Sequence, residues 1–213
     1  MGEATIRSAG GGCLHALPVV PGCYPGRARE GSPKAGLLIV GEQPGDKEDL
    51  AGRPFVGPAG RILDAALAEA GIDRTQTFVT NAVKHFKHEL RGKRRLHKGP
   101  NAYEIDRCHW RLENELRLLK PAGVVALGTT AVRSLIGRPV SLSQARGKAL
   151  TLQSGLPLIV TIHPSYLLRI RDAQEKRRHY AGFLADLTEA AGLLNHKRLG
   201  RNARGPNGAG MAV

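Results

Sequence analysis

Two segments of this 213-residue chain carry side chains that could do acid–base chemistry. In GEQPGDKEDLAGRPFVGPAG, Glu42 and Gln43 directly follow an apolar run, and the Gly and Pro content predicts an exposed turn. In THPSYLL, His163 follows another apolar run, where it could donate a hydrogen bond or act as a general acid. An ordinary solvated loop and a histidine that caps a turn are the alternative interpretations.

A third segment, TNAVKHFKHELRGKRRLHK, is strongly basic. It has seven Lys and Arg residues from Lys84 to Lys98 against the single acid Glu89. Such a segment after an apolar run favours contact with a nucleic-acid backbone over a merely solvated loop. The cations beside His97 disfavour its protonated form, which predicts a neutral imidazole with a nucleophilic nitrogen. A lone loop histidine can equally serve only as a hydrogen-bonding residue.

Two more side chains could bind a planar ligand. Phe55 lies between Pro54 and Gly57 in a polar loop, which indicates either a local anchor or a stacking surface. Asn81 ends an apolar run, and its amide can offer both a donor and an acceptor to one edge of a base. A turn residue that terminates a strand is the alternative for Asn81.

The composition agrees with a nucleic-acid partner. The chain has 32 Lys and Arg against 18 Asp and Glu, a formal net charge of +14, which favours polyanions. Its apolar runs are shorter than the roughly 20 residues that span a bilayer, and no secretory signal pattern is visible. We therefore expect a cytoplasmic protein, associated with the nucleoid in a bacterium and without membrane contact. Its three cysteines favour thiols or metal ligands over disulfides.

Short apolar runs alternate with helical patterns along the chain. Buried parallel strands are predicted at Leu37–Val40, Phe78–Val83, Val124–Leu127 and Leu158–Ile162. Helices are predicted at Pro58–Ala70, Ala102–Leu119, Thr129–Ile136 and from about Ala173, with a small β excursion within Ser141–Leu152. The alternation predicts an α/β fold, a three-layer α/β/α sandwich around a mainly parallel four-stranded sheet.

The length suits one domain with tails. We expect an irregular N-terminal segment over residues 1–35, a domain over residues 36–194 and a basic flexible tail over residues 195–213. Ligands of open parallel sheets bind outside the carboxyl ends of the strands. The segments that carry candidate functional residues all follow predicted strands, so we expect them to meet in one crevice. A monomer is the default expectation.

The motifs GEQPGDKEDLAGRPFVGPAGR, TNAVKHFK, GKRRLHK and HPSYLLR resemble, in this order, the uracil-DNA glycosylase superfamily. Within it they resemble the UdgX type, which is related to the family 4 enzymes. The resemblance covers about Leu37 to Ala190. The pairing of GEQPG with a KRR-x-H loop is specific, because ordinary family 4 enzymes have Ala at the position of Gln43 and lack that loop.

The resemblance implies an α/β/α DNA-repair enzyme that takes deoxyuridine from single- or double-stranded DNA and breaks its N-glycosidic bond. Phe55 would stack on the base, in a uracil pocket that includes Gly41. Asn81 would bind the base edge with N3 and O4. His163 would stabilise the charge on O2 of the leaving uracil, as a preorganised donor does for an oxyanion.

The UdgX resemblance also implies an unusual second step. The histidine of the KRR-x-H loop, here His97, captures the sugar C1′ in place of water and joins the protein covalently to DNA. Glu42 and Gln43 would position His97 and favour the charge that it gains. The resemblance and the basic charge together predict DNA contacts for Lys93, Arg94, Arg95, Lys98 and Ser165. Arg94 and Arg95 would hold the loop as well as nearby phosphates.

Family 4 and UdgX proteins carry a 4Fe-4S cluster whose first two ligands form a C-x-x-C motif. That motif is missing here, because nine residues separate Cys13 from Cys23. His85 stands at the position of the third ligand and Cys108 at that of the fourth. A ligand set of Cys13, Cys23, His85 and Cys108 is one interpretation. A divergent or truncated start and a lost cluster is the other.

Three functions stay open at this point. The first is a uracil-DNA glycosylase that becomes covalently linked to DNA through His97. The second is a turnover glycosylase that releases an abasic site, in which His97 only contacts phosphate. The third is a nucleic-acid-binding module without catalysis. On a denaturing gel, the first function gives a stoichiometric protein–DNA band and the second gives only an abasic product. The third gives neither.

Overall fold

A six-stranded sheet forms the centre of the protein, and its strands are mostly short apolar runs. The computed structural model describes residues 29–202, with side chains to residue 195. The strands of this sheet are β1 (Glu30–Gly31), β2 (Leu37–Gly41), β3 (Thr77–Asn81), β6 (Gly123–Leu127), β7 (Leu150–Thr151) and β8 (Pro157–Thr161). The strands β4 (His88–Arg91) and β5 (Arg94–His97) form a separate two-stranded sheet. The helices are α1 (Asp46–Ala51), α2 (Pro58–Glu69), α3 (Ala102–Leu119), α4 (Thr129–Ile136), α5 (Leu142–Ala145), α6 (Pro164–Arg169) and α7 (Ala173–Asn202).

The sheet order is β1-β3-β2-β6-β8-β7. The four central strands β3, β2, β6 and β8 are parallel, as the sequence predicted. The predicted count of four strands is too low, because β1 and β7 extend the edges as antiparallel strands. Both have only two residues, too few for a visible alternation of apolar and polar side chains.

Helices cover both faces of the sheet, and this confirms the predicted three-layer α/β/α sandwich. On one face, α2 and α7 bury Leu63, Leu67 and Phe183 against the sheet. On the other face, α3 and α4 bury Leu112 and Val132. Since the central strands lie between two helical layers, β2 and β6 are buried along their whole length and carry no polar side chain. None of the described helices is both long and apolar enough to cross a membrane.

The predicted helices and strands agree with the structure to within two residues at most bounds, but three segments differ. Residues 1–28 lie outside the described part of the chain, whereas β1 gives the end of the predicted irregular segment a regular structure. The last helix continues to Asn202, past the predicted domain boundary at residue 194. The predicted excursion near residue 150 is β7 preceded by the one-turn helix α5.

The predicted basic loop is in fact an antiparallel hairpin of β4 and β5. Gly92 has a φ of 62° in its turn, a conformation that glycine adopts without steric cost. All eight strand residues are exposed or half-buried, so no buried face produced an apolar alternation in the sequence. The hairpin rises from the carboxyl end of β3 and lies against α1.

One member of the basic segment, Lys84, is buried in the fold instead of facing solvent. Its Nζ donates to Oε2 of Glu115 and to Oγ1 of Thr80, both at 2.7 Å. Burial lowers the pKa of Lys84, while the charge of Glu115 opposes that shift. The pair joins the end of β3 to α3 and so supports the base of the hairpin.

Candidate active site

The carboxyl ends of the central strands border a cavity of about 650 Å³. Six of its lining residues were predicted from the sequence as site residues: Glu42, Gln43, Phe55, His97, His163 and Ser165. They come from the loop after β2, the end of β5 and the start of α6. The crevice predicted from strand-end positions therefore exists, and it gathers residues more than 120 positions apart in the chain.

His97 and Glu42 form the polar wall of this cavity. Nε2 of His97 lies 3.3 Å from Oε1 of Glu42. The other carboxylate oxygen of Glu42 accepts a 2.9 Å hydrogen bond from Thr130 Oγ1, at the start of α4. The His97 side chain is 51% exposed, so its ring borders both the cavity and solvent. A carboxylate held in this way can stabilise a positive charge on the imidazole.

Gln43 connects the loop after β2 to both flanks of the hairpin. Its Nε2 donates to the carbonyls of Lys87 and Lys98, at 3.3 and 3.0 Å. Its Oε1 accepts from the backbone N–H of Lys87 at 3.4 Å. Because Gln43 is buried, this amide replaces water at the two backbone segments that enter and leave the hairpin.

Arg95 holds the hairpin from the side of α1. Its Nε donates to Oδ1 of Asp46 at 2.6 Å, and its Nη1 donates to Oδ2 of Asp49 at 2.8 Å. The guanidinium also lies 5.2 Å from the ring centroid of Phe86. The same ring is stacked on His88 at 5.1 Å and lies 6.1 Å from His97. Arg95 therefore acts within the protein, as a support for the strand that carries His97.

Of the residues predicted to hold a base, Phe55 and His163 line the cavity, and Gly41 and Asn81 lie next to Phe55 outside its lining. Phe55 is 5% exposed, and its ring centroid is 5.7 Å from that of His163. Gly41 lies between Phe55 and Asn81: a Cβ at Gly41 would come within 2.4 Å of Asn81 Oδ1 and 2.9 Å of Phe55 Cζ. Asn81 is itself buried behind the lining, and its Nδ2 has no hydrogen-bond partner among the described residues.

The backbone at Phe55 is unusual, with a φ of 56°. Residues other than glycine rarely adopt this left-handed backbone conformation. Gly60 makes the local path feasible, because a Cβ there would come within 1.6 Å of the Phe55 carbonyl oxygen. Such conformations occur where the surrounding structure enforces them, often at ligand sites.

His163 caps the first turn of α6. Its Nδ1 accepts a hydrogen bond from the backbone N–H of Ser165 at 3.2 Å and lies 2.8 Å from Ser165 Oγ. Burial lowers the pKa of His163 to about 4, with smaller contributions from Arg169 and His97. The ring is therefore neutral at physiological pH. Since Nδ1 accepts, the remaining proton is on Nε2, which makes His163 a hydrogen-bond donor.

The sequence is similar to those of known proteins. The family model described as the uracil DNA glycosylase superfamily matches residues 28–188. The chain belongs to this superfamily. It is 37% identical over 149 residues to the type-4 uracil-DNA glycosylase of Thermotoga maritima, covering 70% of this chain and 74% of that protein. It is also 37% identical over 147 residues to the type-4 uracil-DNA glycosylase of Pyrobaculum aerophilum, covering 66% and 71%.

Membership of the uracil-DNA glycosylase superfamily confirms the predicted fold and the predicted enzyme class, a DNA N-glycosylase. The cations predicted to bind DNA now separate into two groups. Lys93 and Arg94 are exposed and make no ion pair with other described residues. Lys98 lies 3.7 Å from Glu89, and Arg95 is engaged by two carboxylates. Lys93 and Arg94 are thus the members of this set that form no ion pair among the described residues, and their DNA contacts stay a prediction.

The described residues do not supply a complete ligand set for an iron–sulfur cluster. Cys108 is buried and packs with Val83 and Ile105, and His85 is half-buried. Among the residues in the described range, no three His, Cys, Asp or Glu side chains converge as metal ligands. Cys13 and Cys23 lie outside that range. The cluster stays a prediction from the family resemblance.

Sequence reasoning named Glu42 and Gln43 as the residues that position His97 but missed the further residues that support it. Asp46 and Asp49 are three residues apart, the spacing that places two side chains on one helix face, and this signal was readable in GDKEDL. Thr130 and Phe86 gave no such signal. Their contacts join segments that are distant in sequence, so only the tertiary structure reveals them.

Proposed function

We propose that this glycosylase excises uracil from DNA and that His97 then captures the abasic sugar. The observation that carries the proposal is the position of His97: its imidazole lines the same cavity as Phe55 and His163, 3.3 Å from Glu42. A histidine that only touched phosphate would not need a place in the wall of the base-binding cavity.

The first step breaks the N-glycosidic bond. Its electron pair leaves with N1 of uracil, so the base becomes an anion and the sugar becomes an oxocarbenium-like cation. His163 can donate from Nε2 to O2 of the base, where negative charge develops. The unpaired Nδ2 of Asn81 suits O4 as its acceptor. Phe55 provides the apolar surface for the ring.

The second step forms a bond between protein and DNA. The lone pair of a neutral His97 nitrogen attacks C1′ of the cation, and the positive charge passes to the imidazole. The carboxylate of Glu42 at 3.3 Å stabilises that charge. The released uracil anion takes a proton from solvent. Atoms and charge balance without another reagent, and each protein molecule reacts once.

A turnover glycosylase that releases an abasic site is the second candidate. The 37% identity to proteins named type-4 uracil-DNA glycosylases supports this candidate. The half-exposed ring of His97 also leaves room for water near Glu42. In this alternative, water attacks C1′ and His97 contributes only hydrogen bonding.

Mass spectrometry of a denatured reaction distinguishes the candidates. The protein is mixed with a uracil-containing oligonucleotide, and the same sequence with thymine serves as the control. Capture predicts a species whose mass is protein plus oligonucleotide minus uracil. The His97→Ser variant should release uracil without forming that species. A wild-type protein that yields only free abasic DNA would establish turnover, and unaltered DNA would contradict both candidates.

A further inference from the structure

A second groove lies behind the active-site cavity, between α2, α6 and α7. Its volume is about 640 Å³. The floor is mainly apolar and includes Pro58, Ile62, Leu167 and Leu168. Leu168 is 47% exposed, although it is a large apolar side chain. The floor thus offers hydrophobic surface to a ligand in a strongly basic protein.

Three cations border this floor. Arg61 projects from α2, while Lys176 and Arg177 project from α7 on the opposite wall. All three are exposed, and none forms an ion pair with another described residue. The groove lining includes no Asp or Glu. This combination of apolar floor and unpaired positive rim is complementary to a ligand with flat apolar groups and regularly spaced anions.

Helix α6 separates the groove from the active-site cavity. Ser165 and Arg169 line the cavity, whereas Leu167 and Leu168 line the groove. At the start of α2, Ala59 borders the cavity and the preceding Pro58 borders the groove. A chain that placed one unit in the cavity would therefore reach the groove by crossing a single short helix.

We propose that this groove binds the single-stranded DNA that flanks the uracil on one side. Unstacked bases contact the apolar floor, and their phosphates bind Arg61, Lys176 and Arg177. A duplex fits less well, because its bases are stacked inside and only phosphates would face the apolar floor. The inference rests on the proposed uracil excision, but it concerns strand binding and not the fate of the sugar.

The test compares single-stranded substrates that differ only in their flanks. One has a single nucleotide on each side of uracil, and two others extend by about ten nucleotides on the 5′ or the 3′ side, a length typical of single-strand sites. The rate of uracil release is measured with protein in excess over substrate but below saturation, for the full chain, for Lys176→Glu/Arg177→Glu and for Leu168→Ser. The matched control is Lys34→Glu/Arg138→Glu, which makes the same change in net charge outside the groove.

We expect Lys176→Glu/Arg177→Glu to lose about tenfold in release rate on one of the two extended substrates and nothing on the short one. For binding to that substrate, the slope of log K against log salt concentration should become about 1.4 less steep. Two phosphate contacts are lost, and each contributes roughly 0.7 to the slope for single strands. Leu168→Ser should lose rate on the same substrate, and the control should lose little on any.

An equal loss on short and extended substrates, or a loss as large in the control, would overturn the groove proposal. So would an unchanged rate on every substrate. If no substrate releases uracil, the proposed excision itself is wrong. Fluorescence anisotropy with the same oligonucleotides then still decides the groove proposal, because it measures binding and not cleavage.

Discussion

Nε of Arg95 donates a 2.6 Å hydrogen bond to Oδ1 of Asp46, and this bond joins the second hairpin strand to the first turn of α1. Arg95 and His97 are two residues apart on one strand, so their side chains leave the same face. The contact that fixes Arg95 therefore also fixes the orientation of the histidine. A cation in a basic segment serves here as a structural support and not as a free phosphate ligand.

The Arg95→Ala variant should keep uracil release but lose covalent capture. Misplacement of a reacting group by about 1 Å can cost on the order of a hundredfold in rate. The measurement is the ratio of conjugate to free uracil under single-turnover conditions. The matched control is Arg94→Ala, whose exposed side chain makes no ion pair within the described residues; it should weaken DNA binding and leave the ratio unchanged. Equal ratios in both variants would refute the positioning role.

The low pKa of His163 predicts an acid-sensitive fold. The folded ring has a pKa of about 4 against 6.5 in the unfolded chain, so only the unfolded state binds a proton between these values. Stability is thus complete above pH 6.5 and falls by about 3 kcal/mol as the pH decreases to 4. Denaturant unfolding of the wild type and of His163→Gln at several pH values measures this difference. If the free energy of unfolding changed equally with pH in both proteins, the prediction would be wrong.

The Gly41→Ala variant should lose uracil excision with little loss of fold. A Cβ at this position meets the Asn81 amide oxygen at 2.4 Å and the Phe55 ring at 2.9 Å, so both side chains must move. Single-turnover kinetics of uracil release should show a lower maximal rate and a higher protein concentration at half-maximal rate. Gly57→Ala is a control, because a Cβ there meets nothing within 4 Å. Normal kinetics in Gly41→Ala would show that this contact does not shape the base pocket.

Removal of one partner from the buried pair of Lys84 and Glu115 should destabilise the protein strongly. Lys84→Met leaves the Glu115 carboxylate buried without its main partner, at a cost of about 3–5 kcal/mol in the free energy of unfolding. The double variant Lys84→Met/Glu115→Leu removes both charges and should recover most of that loss. Urea unfolding measures both variants, and additive losses would show that the two residues act independently.

The iron–sulfur prediction has a spectroscopic test. A cluster held by Cys13, Cys23, His85 and Cys108 gives anaerobically purified protein a brown colour and a visible thiolate-to-iron band. Cys108→Ser should then lose both the colour and the bound iron. Colourless wild-type protein without iron would contradict the cluster prediction.

Much of the fold was predictable because its signals are local. Uninterrupted apolar runs indicated the four parallel strands, and residues spaced three and four apart indicated the main helices. The edge strand β1 was missed because two residues carry no periodicity, whereas β7 lies within the β excursion predicted at Ser141–Leu152. The hairpin was interpreted as a loop because its exposed strands have no buried face and therefore no alternation to read.

The sequence by itself determined the family, the order of the motifs and the residue types available for chemistry. Their position after predicted strands even indicated a common crevice. Only the tertiary structure decided which side chains meet: His97 with Glu42, Arg95 with Asp46, and Lys84 with Glu115 in the interior. The physical reason is that hydrophobic periodicity reports the exposure of a local segment, whereas charge pairs depend on strand order and helix packing across the whole chain.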